Sequence, residues 1–272
     1  MKLEDQVAIV TGGGGGIGEG ICLCLARAGA DVVVSDVKQG PAGAVAAKVE
    51  EIGRRSLAVT TDVRSEDECR ALVDTTLEKM GRLDILICSA GTAGVEQMVP
   101  SEHAMDLENI PLEVWDRTID VNLKGVFLCT RAVIPHFKKQ QRGKIINISS
   151  VAGRKGQSML PAYAASKAGV ISLSQSTAIQ LAPYNINVNT ICPGLVWTPL
   201  WADGVDFMLQ AKPELKDVPP EAAFNVMVQG ASLFKRAQTP EDIGELAVFL
   251  ASEGAKEITG QAMNVDGGSE FN

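Results

Sequence analysis

Tyr163 and Lys167 stand four positions apart in Tyr163-Ala164-Ala165-Ser166-Lys167-Ala168-Gly169, where an apolar stretch of helical length begins. On a helix that spacing puts both side chains on one face. An ammonium beside a phenol favours the phenolate, so the pair predicts a Tyr that exchanges a proton nearer neutrality than its ordinary pKa of about 10 allows. Upstream, the apolar run Lys144 to Ile148 ends in Ser149-Ser150, whose hydroxyls are expected where a strand opens into a ligand site. Ser150 is then placed to hydrogen-bond a substrate oxygen there. Singly these signals are common accidents: Tyr-x-x-x-Lys recurs on helices, and Ser-Ser after a strand is often a helix cap.

A second constellation lies near the start of the chain. The run Val7 to Val10 leads into Thr11-Gly12-Gly13-Gly14-Gly15-Gly16-Ile17-Gly18 and then a helical stretch through Ala28. Strand, glycine turn and helix together bring free backbone N–H groups and the positive helix end to one place, which suits a pyrophosphate. The next strand ends at Asp36, where a carboxylate can accept hydrogen bonds from adenosine ribose hydroxyls and would repel a 2′-phosphate. No Lys or Arg occurs in the glycine loop, so NAD is expected over NADP, with Lys38 the one nearby cation against it.

These residues require a sheet to hold them. Apolar runs of strand length, Val7 to Val10, Asp31 to Ser35, Leu57 to Thr60, Leu83 to Cys88, Lys144 to Ile148, Asn187 to Cys192 and Gln261 to Val265, alternate with amphipathic stretches of helix length. That alternation predicts an α/β fold: one doubly wound Rossmann domain over residues 1–272 with a seven-stranded parallel sheet flanked by helices. Helix starts are marked by Ser65 with Glu68 and by Thr239-Pro240 with Asp242. Two segments break the rhythm. Residues 92–111 carry His103 among Glu96, Glu102, Asp106 and Glu108, and this His reads best as a solvated loop residue. The stretch from 195 to about 238 holds Pro199, Pro213, Pro219 and Pro220 with many apolar side chains, and reads as an irregular lid over the substrate in which Trp197 and Trp201 are candidate substrate contacts.

Composition sets the outer bounds. Across 272 residues the formal net charge is −8, which disfavours nucleic acid and anionic membrane surfaces, and the aromatic share of 4% suits a core of aliphatic strands. The charged start Met1-Lys2-Leu3-Glu4-Asp5 does not resemble a signal peptide or a membrane span, so a cytoplasmic protein is expected. The six cysteines are scattered through predicted helices and strands and are expected as free thiols; Cys22 and Cys24 would face different ways, and no metal site is expected.

In the order of these motifs the chain resembles the short-chain dehydrogenase/reductase family along essentially its whole length. The resemblance assigns cofactor contact to Gly12, Gly16, Ile17 and Gly18, to Asp62-Val63 beside the adenine, to Ala90 and Gly91, and to Tyr163 and Lys167. It also assigns cofactor contact to Pro193, Gly194, Val196 and Thr198 around the nicotinamide carboxamide. It implies a catalytic set of Asn122, Ser150, Tyr163 and Lys167: Tyr163 is the acid/base, Ser150 stabilises the substrate oxygen, Lys167 lowers the Tyr pKa and binds ribose, and Asn122 holds a water that links Lys167 to solvent. Thr259-Gly260-Gln261 and Asp266-Gly267-Gly268 resemble the family's C-terminal signature. The family commonly has Asn-Asn-Ala-Gly where this chain has Cys88-Ser89-Ala90-Gly91, a departure that predicts a looser turn there. The expected activity is hydride transfer between NAD and a small-molecule secondary alcohol or ketone, such as a diol, polyol or hydroxy acid, by a homo-oligomer that the resemblance makes a tetramer. The alternatives are a 3-oxoacyl thioester reductase and a non-catalytic NAD-binding sensor.

Overall fold

A computed structural model describes residues 2–212 and 214–271; Pro213 of the expected lid and Met1 of the charged start lie outside the described residues. Seven strands form one parallel sheet: β1 (Val7–Thr11), β2 (Asp31–Asp36), β3 (Ser56–Thr60), β4 (Ile85–Cys88), β5 (Gly143–Ile148), β6 (Ile186–Pro193) and β7 (Ala262–Val265). Their order is β3-β2-β1-β4-β5-β6-β7, so the chain reverses direction across the sheet between β1 and β4. Each expected strand is present with ends displaced by at most two residues, the largest shift being the start of β4 at Ile85.

Helices cover both faces: α1 (Gly16–Arg27), α2 (Gln39–Glu51) and α9 (Pro240–Ala251) on one, α3 (Glu66–Met80), α5 (Gly125–Gln140) and α6 (Pro161–Leu181) on the other. Because successive strand residues point to opposite faces, Ala8 and Val10 pack in the first core with Val32, Ile87 and Ile146, while Val7 and Ile9 pack in the second with Val33, Leu86 and Ile145. Burial on both faces explains why the strands are continuous aliphatic runs rather than alternating ones. Contrary to the different faces expected, Cys22 and Cys24 both lie in the first core, Cys24 against Gly244 of α9, where an added Cβ would come within 2.6 Å of the thiol sulfur. All six cysteines are free and buried. Among the described residues no helix is long and apolar enough to cross a membrane.

Both marked helix starts are caps. Ser65 accepts the Glu68 N–H at 3.3 Å, although the Glu68 carboxylate turns instead to the backbone N–H of Asp62 at 2.8 Å. Thr239 and Asp242 exchange both bonds, Asp242 N–H to Thr239 Oγ1 at 3.2 Å and Thr239 N–H to Asp242 Oδ2 at 2.8 Å. Thr239→Ala leaves an orphan donor at the head of α9, whose inner face packs on α1, and is expected to cost about 1 kcal/mol in urea unfolding. An unchanged midpoint would show that α9 is held by packing alone.

The segment read as an irregular lid is helical. Two helices, α7 (Pro199–Gln210) and α8 (Pro220–Ala231), occupy most of it. Its prolines head the helices instead of breaking them: Pro199 and Pro220 occupy first-turn positions, where a missing N–H costs nothing, and Thr198 caps α7. Val205, Leu209, Phe224 and Val228 form a small core of their own between the two helices. The connection over 92–111 is built from short 3-10 turns at Val95–Gln97 and Leu107–Asn109 before α4 (Leu112–Ile119), which continues through a π-helical turn, Asp120–Lys124, into α5.

Candidate active site

The carboxyl ends of β1, β4, β5 and β6 converge where the strand order reverses, the place at which open parallel sheets bind ligands. Gly12 leaves β1 at φ +64°, and a Cβ there would sit 2.6 Å from the Ala90 Cα, so only glycine lets the β1 and β4 turns pass this closely. Gly18 is equally constrained, since its Cβ would lie 2.0 Å from the Gly12 carbonyl oxygen. A Cβ on Gly15 would meet no atom within 4 Å. The loop is therefore tight beneath and open above, with the unpaired N–H groups of the first turn of α1 facing that opening.

Asp36 ends β2 with its carboxylate against this loop. Oδ2 accepts the Gly14 N–H at 3.2 Å and Oδ1 accepts the Lys38 N–H at 3.0 Å. The negative charge is thus fixed at the loop's edge by backbone donors. Asp62, which the family resemblance places beside the adenine, has its carboxylate paired with Arg64, Nη2 at 2.6 Å, and this guanidinium holds the carboxyl below its ordinary pKa. Val63 is buried, close enough to Gly125 that an added Cβ there would lie 2.7 Å from Cγ2.

The turn after β4 is firm, contrary to the looseness expected from Cys88. Thr11 Oγ1 accepts the N–H groups of Ser89 at 3.2 Å and Ala90 at 3.4 Å, so β1 supplies the anchoring that a family Asn gives elsewhere. Asn122, fully buried on the π-helical turn, completes the anchoring. Its Oδ1 accepts the Thr92 N–H at 2.9 Å, and its amide donates to Thr92 O and to Ser166 Oγ, each at 3.0 Å. Both amide donors are used, so the side chain ties the turn after β4 to α6. Gly91 lies inside this anchored turn, with a Cβ direction ending 3.6 Å from Lys167 Nζ.

Ser150, Tyr163 and Lys167 come together at the end of β5 and the start of α6. The two serines separate by role: Ser149 donates to Lys167 O at 2.7 Å and is buried, whereas Ser150 caps the following turn and hydrogen-bonds Tyr163. Lys167 Nζ donates to Ile148 O at 3.0 Å and lies 5.5 Å from the centroid of the Tyr163 ring. Burial dominates the protonation of both groups. It pushes the Lys167 ammonium down from 10.5 to about 8 and the half-buried Tyr163 phenol up, with the Ser150 hydrogen bond pulling the phenol back. This corrects the expectation from spacing alone: desolvation outweighs any depression of the phenol by the ammonium.

Pro193, the last residue of β6, and Gly194 run against the C-terminal segment, where Gly194 N–H bonds Val265 O at 3.0 Å and an added Cβ on Gly194 would meet the Asp266 Cα at 2.8 Å. Val196 is buried and bridges Gln238. Thr198 approaches the glycine loop from above, its Cβ 3.3 Å from the Cβ position of Gly16. Trp197 and Trp201, expected as substrate contacts, pack their rings on Phe224 of α8 at centroid distances of 4.9 and 5.5 Å. Their apolar character, read as lid surface, serves the core between α7 and α8. His103 is exposed and paired with Asp106 at 2.9 Å, in keeping with a solvated loop.

Sequence reasoning missed three contributors. Thr11 anchors the β4 turn, and its position at the mouth of the glycine loop was the signal available. Cys192, fully buried at the end of β6, lies within electrostatic reach of Tyr163 and Lys167, which no local pattern announces. Leu160, immediately before α6, adopts a left-handed backbone with φ 56°, a conformation that nothing about Leu foretells.

Residues 6–207 match the family model described as short chain dehydrogenase. The chain is 38% identical over 266 residues to an uncharacterised oxidoreductase of Bacillus subtilis (strain 168), covering 98% of each. It is 37% identical over 268 residues to a 3-oxoacyl-[acyl-carrier-protein] reductase of Synechocystis, covering 98% of this chain and 97% of that protein. Among solved structures it resembles NAD+-bound xylitol dehydrogenase with a TM-score of 0.88 and 29% identity, over 98% of this chain and 100% of that one. The chain belongs to the short-chain dehydrogenase/reductase family and is an oxidoreductase acting on alcohols or ketones.

Proposed function

We propose that the protein is an NAD-dependent dehydrogenase/reductase that interconverts a secondary alcohol and its ketone. The observation carrying this reading is the meeting of Ser150, Tyr163 and Lys167 at one end of a sheet whose glycine loop is edged by the backbone-held carboxylate of Asp36. Bound NAD would supply the hydride acceptor or donor. The residues fit it: the open face above Gly15 leaves room for a pyrophosphate, Thr198 stands opposite, and Gly91 leaves space beside Lys167.

In the oxidative direction Tyr163 Oη takes the hydroxyl proton as the carbinol C–H bond breaks, and Ser150 Oγ donates a hydrogen bond to the substrate oxygen throughout. Lys167 lies beside the ring, and its charged form stabilises the phenolate that accepts the proton. In the reductive direction the proton returns to the carbonyl oxygen. A pure NAD sensor would need the loop and Asp36 but gain nothing from this proton-transfer set. The relative named as a 3-oxoacyl-[acyl-carrier-protein] reductase keeps that alternative open to test, and Asp36 opposes it if NADPH is the reductant. Exposed Phe127 on α5 and Ile179 on α6 support a homo-oligomer, a tetramer by family resemblance.

Cofactor choice tests the Asp36 assignment. Asp36→Ala removes the carboxylate that would oppose a 2′-phosphate and leaves Lys38 nearby, so the NADP-to-NAD ratio of kcat/KM is expected to rise on the order of 100-fold. An unchanged ratio would show that Asp36 serves only to hold the loop.

A further inference from the structure

Tyr163 opens on one side into a cavity walled by Ala93, Met98, Met105, Ile110, Val114 and Leu160. The side chains of this wall carry no hydrogen-bonding group stronger than a thioether. Its free volume is about 10 Å³, barely enough for a single water, so any substrate body must displace side chains to enter. The two methionines suit that, being unbranched and easily repacked. Behind them Phe207 of α7 packs with Ala93, Val95 and Ala104, and Met98, Met105 and Leu160 complete this second apolar layer. Leu160 holds its place through a left-handed backbone directly before Pro161, a strained arrangement of the kind that persists where a site demands it. Outside the wall the exposed ionisable groups of the same connection are the acids Glu96, Glu102, Asp106 and Glu108 and one histidine, His103, paired with Asp106.

We infer, building on the function proposed above, that the substrate is an uncharged secondary alcohol or ketone with an apolar body, alicyclic or branched aliphatic, and that Leu160, Met98 and Met105 set this specificity. The substrate oxygen rests between Tyr163 and Ser150 while its hydrocarbon displaces the two methionines. A polyol would bury hydroxyls against a wall that offers them no partner, and a hydroxy acid would bring its carboxylate past four exposed acids. This departs from the diol, polyol or hydroxy acid expected from the sequence. It also assigns the 92–111 connection as the substrate-side wall.

The test is NAD reduction by the full-length enzyme with cyclohexanol, xylitol and 3-hydroxybutyrate, alongside Leu160→Gly and Met105→Gln. Wild type is expected to show kcat/KM for cyclohexanol on the order of 100-fold above that for xylitol. Leu160→Gly, which relieves the backbone and removes the wall, is expected to raise KM for cyclohexanol about 10-fold and to admit menthol, with NAD affinity unchanged. Met105→Gln keeps side-chain length, adds an amide and is expected to narrow the preference for cyclohexanol over xylitol. Tyr163-dependent turnover that favours xylitol or hydroxybutyrate would overturn the inference and leave the proposed function standing. NAD binding without turnover of any alcohol or ketone would overturn both, and unaltered KM values in both variants would overturn the assignment of the wall.

Discussion

Tyr163→Phe lowers kcat/KM for any alcohol substrate by about 10²–10⁴-fold while the affinity for NAD, measured by fluorescence titration, stays within a factor of about two. The ring remains, so packing beneath the site is preserved. The proton acceptor does not. Because Ser150 and Lys167 would still be in place, residual activity measures what substrate positioning contributes without proton transfer. Retention of most of the activity would move the acid/base role elsewhere, and among the described residues no other phenol or imidazole lines the cavity beside Tyr163.

Lys167→Met separates stability from activity. Lys167 is buried with only 4% of its surface exposed, and its pKa falls from 10.5 to about 8 because the fold strips water from the ammonium. In the unfolded chain the group stays protonated up to its ordinary value. Between pH 8 and 10.5 the unfolded state therefore binds a proton that the folded state has released, and stability contributed by this group rises with pH across that window. Below pH 8 the full penalty is present, about 3 kcal/mol, partly offset by the hydrogen bond to Ile148 O at about 1 kcal/mol. Met removes both, so the variant is expected to be about 2 kcal/mol more stable than wild type at pH 7, with the advantage fading by pH 10.5. Activity falls in the same variant by about 10²–10³-fold. Urea unfolding at pH 7 and at pH 10 measures the first effect, and a variant less stable at both would show that Lys167 is a structural hydrogen-bond donor rather than a charge held at cost for chemistry.

Much of this was legible in the sequence, for a physical reason: parallel strands buried on both faces are written as aliphatic runs, and the glycine loop, Asp36, Ser150, Tyr163 and Lys167 all lie at strand ends or on one helix face that local spacing defines. What was not legible depended on tertiary contact. The segment holding Pro199 and Pro220 read as irregular because only the fold shows these prolines at first-turn positions. The packing of Trp197 and Trp201 on Phe224 was hidden because that ring comes from α8, far along the chain. The π-helical turn that aims Asn122, the left-handed Leu160 and the dominance of burial over charge at Tyr163 arise from packing that no short window of residues encodes.

The most direct test of the central claim is to follow the hydride itself. With cyclohexanol deuterated at the carbinol carbon, or whichever secondary alcohol the enzyme turns over, and NAD, proton NMR of the reduced nicotinamide is predicted to show one deuterium at C4 on one face of the ring, formed by wild type and lost with Tyr163→Phe. Reduced nicotinamide without deuterium, or alcohol oxidation that leaves NAD unchanged, would contradict direct hydride transfer and with it the function assigned to this site.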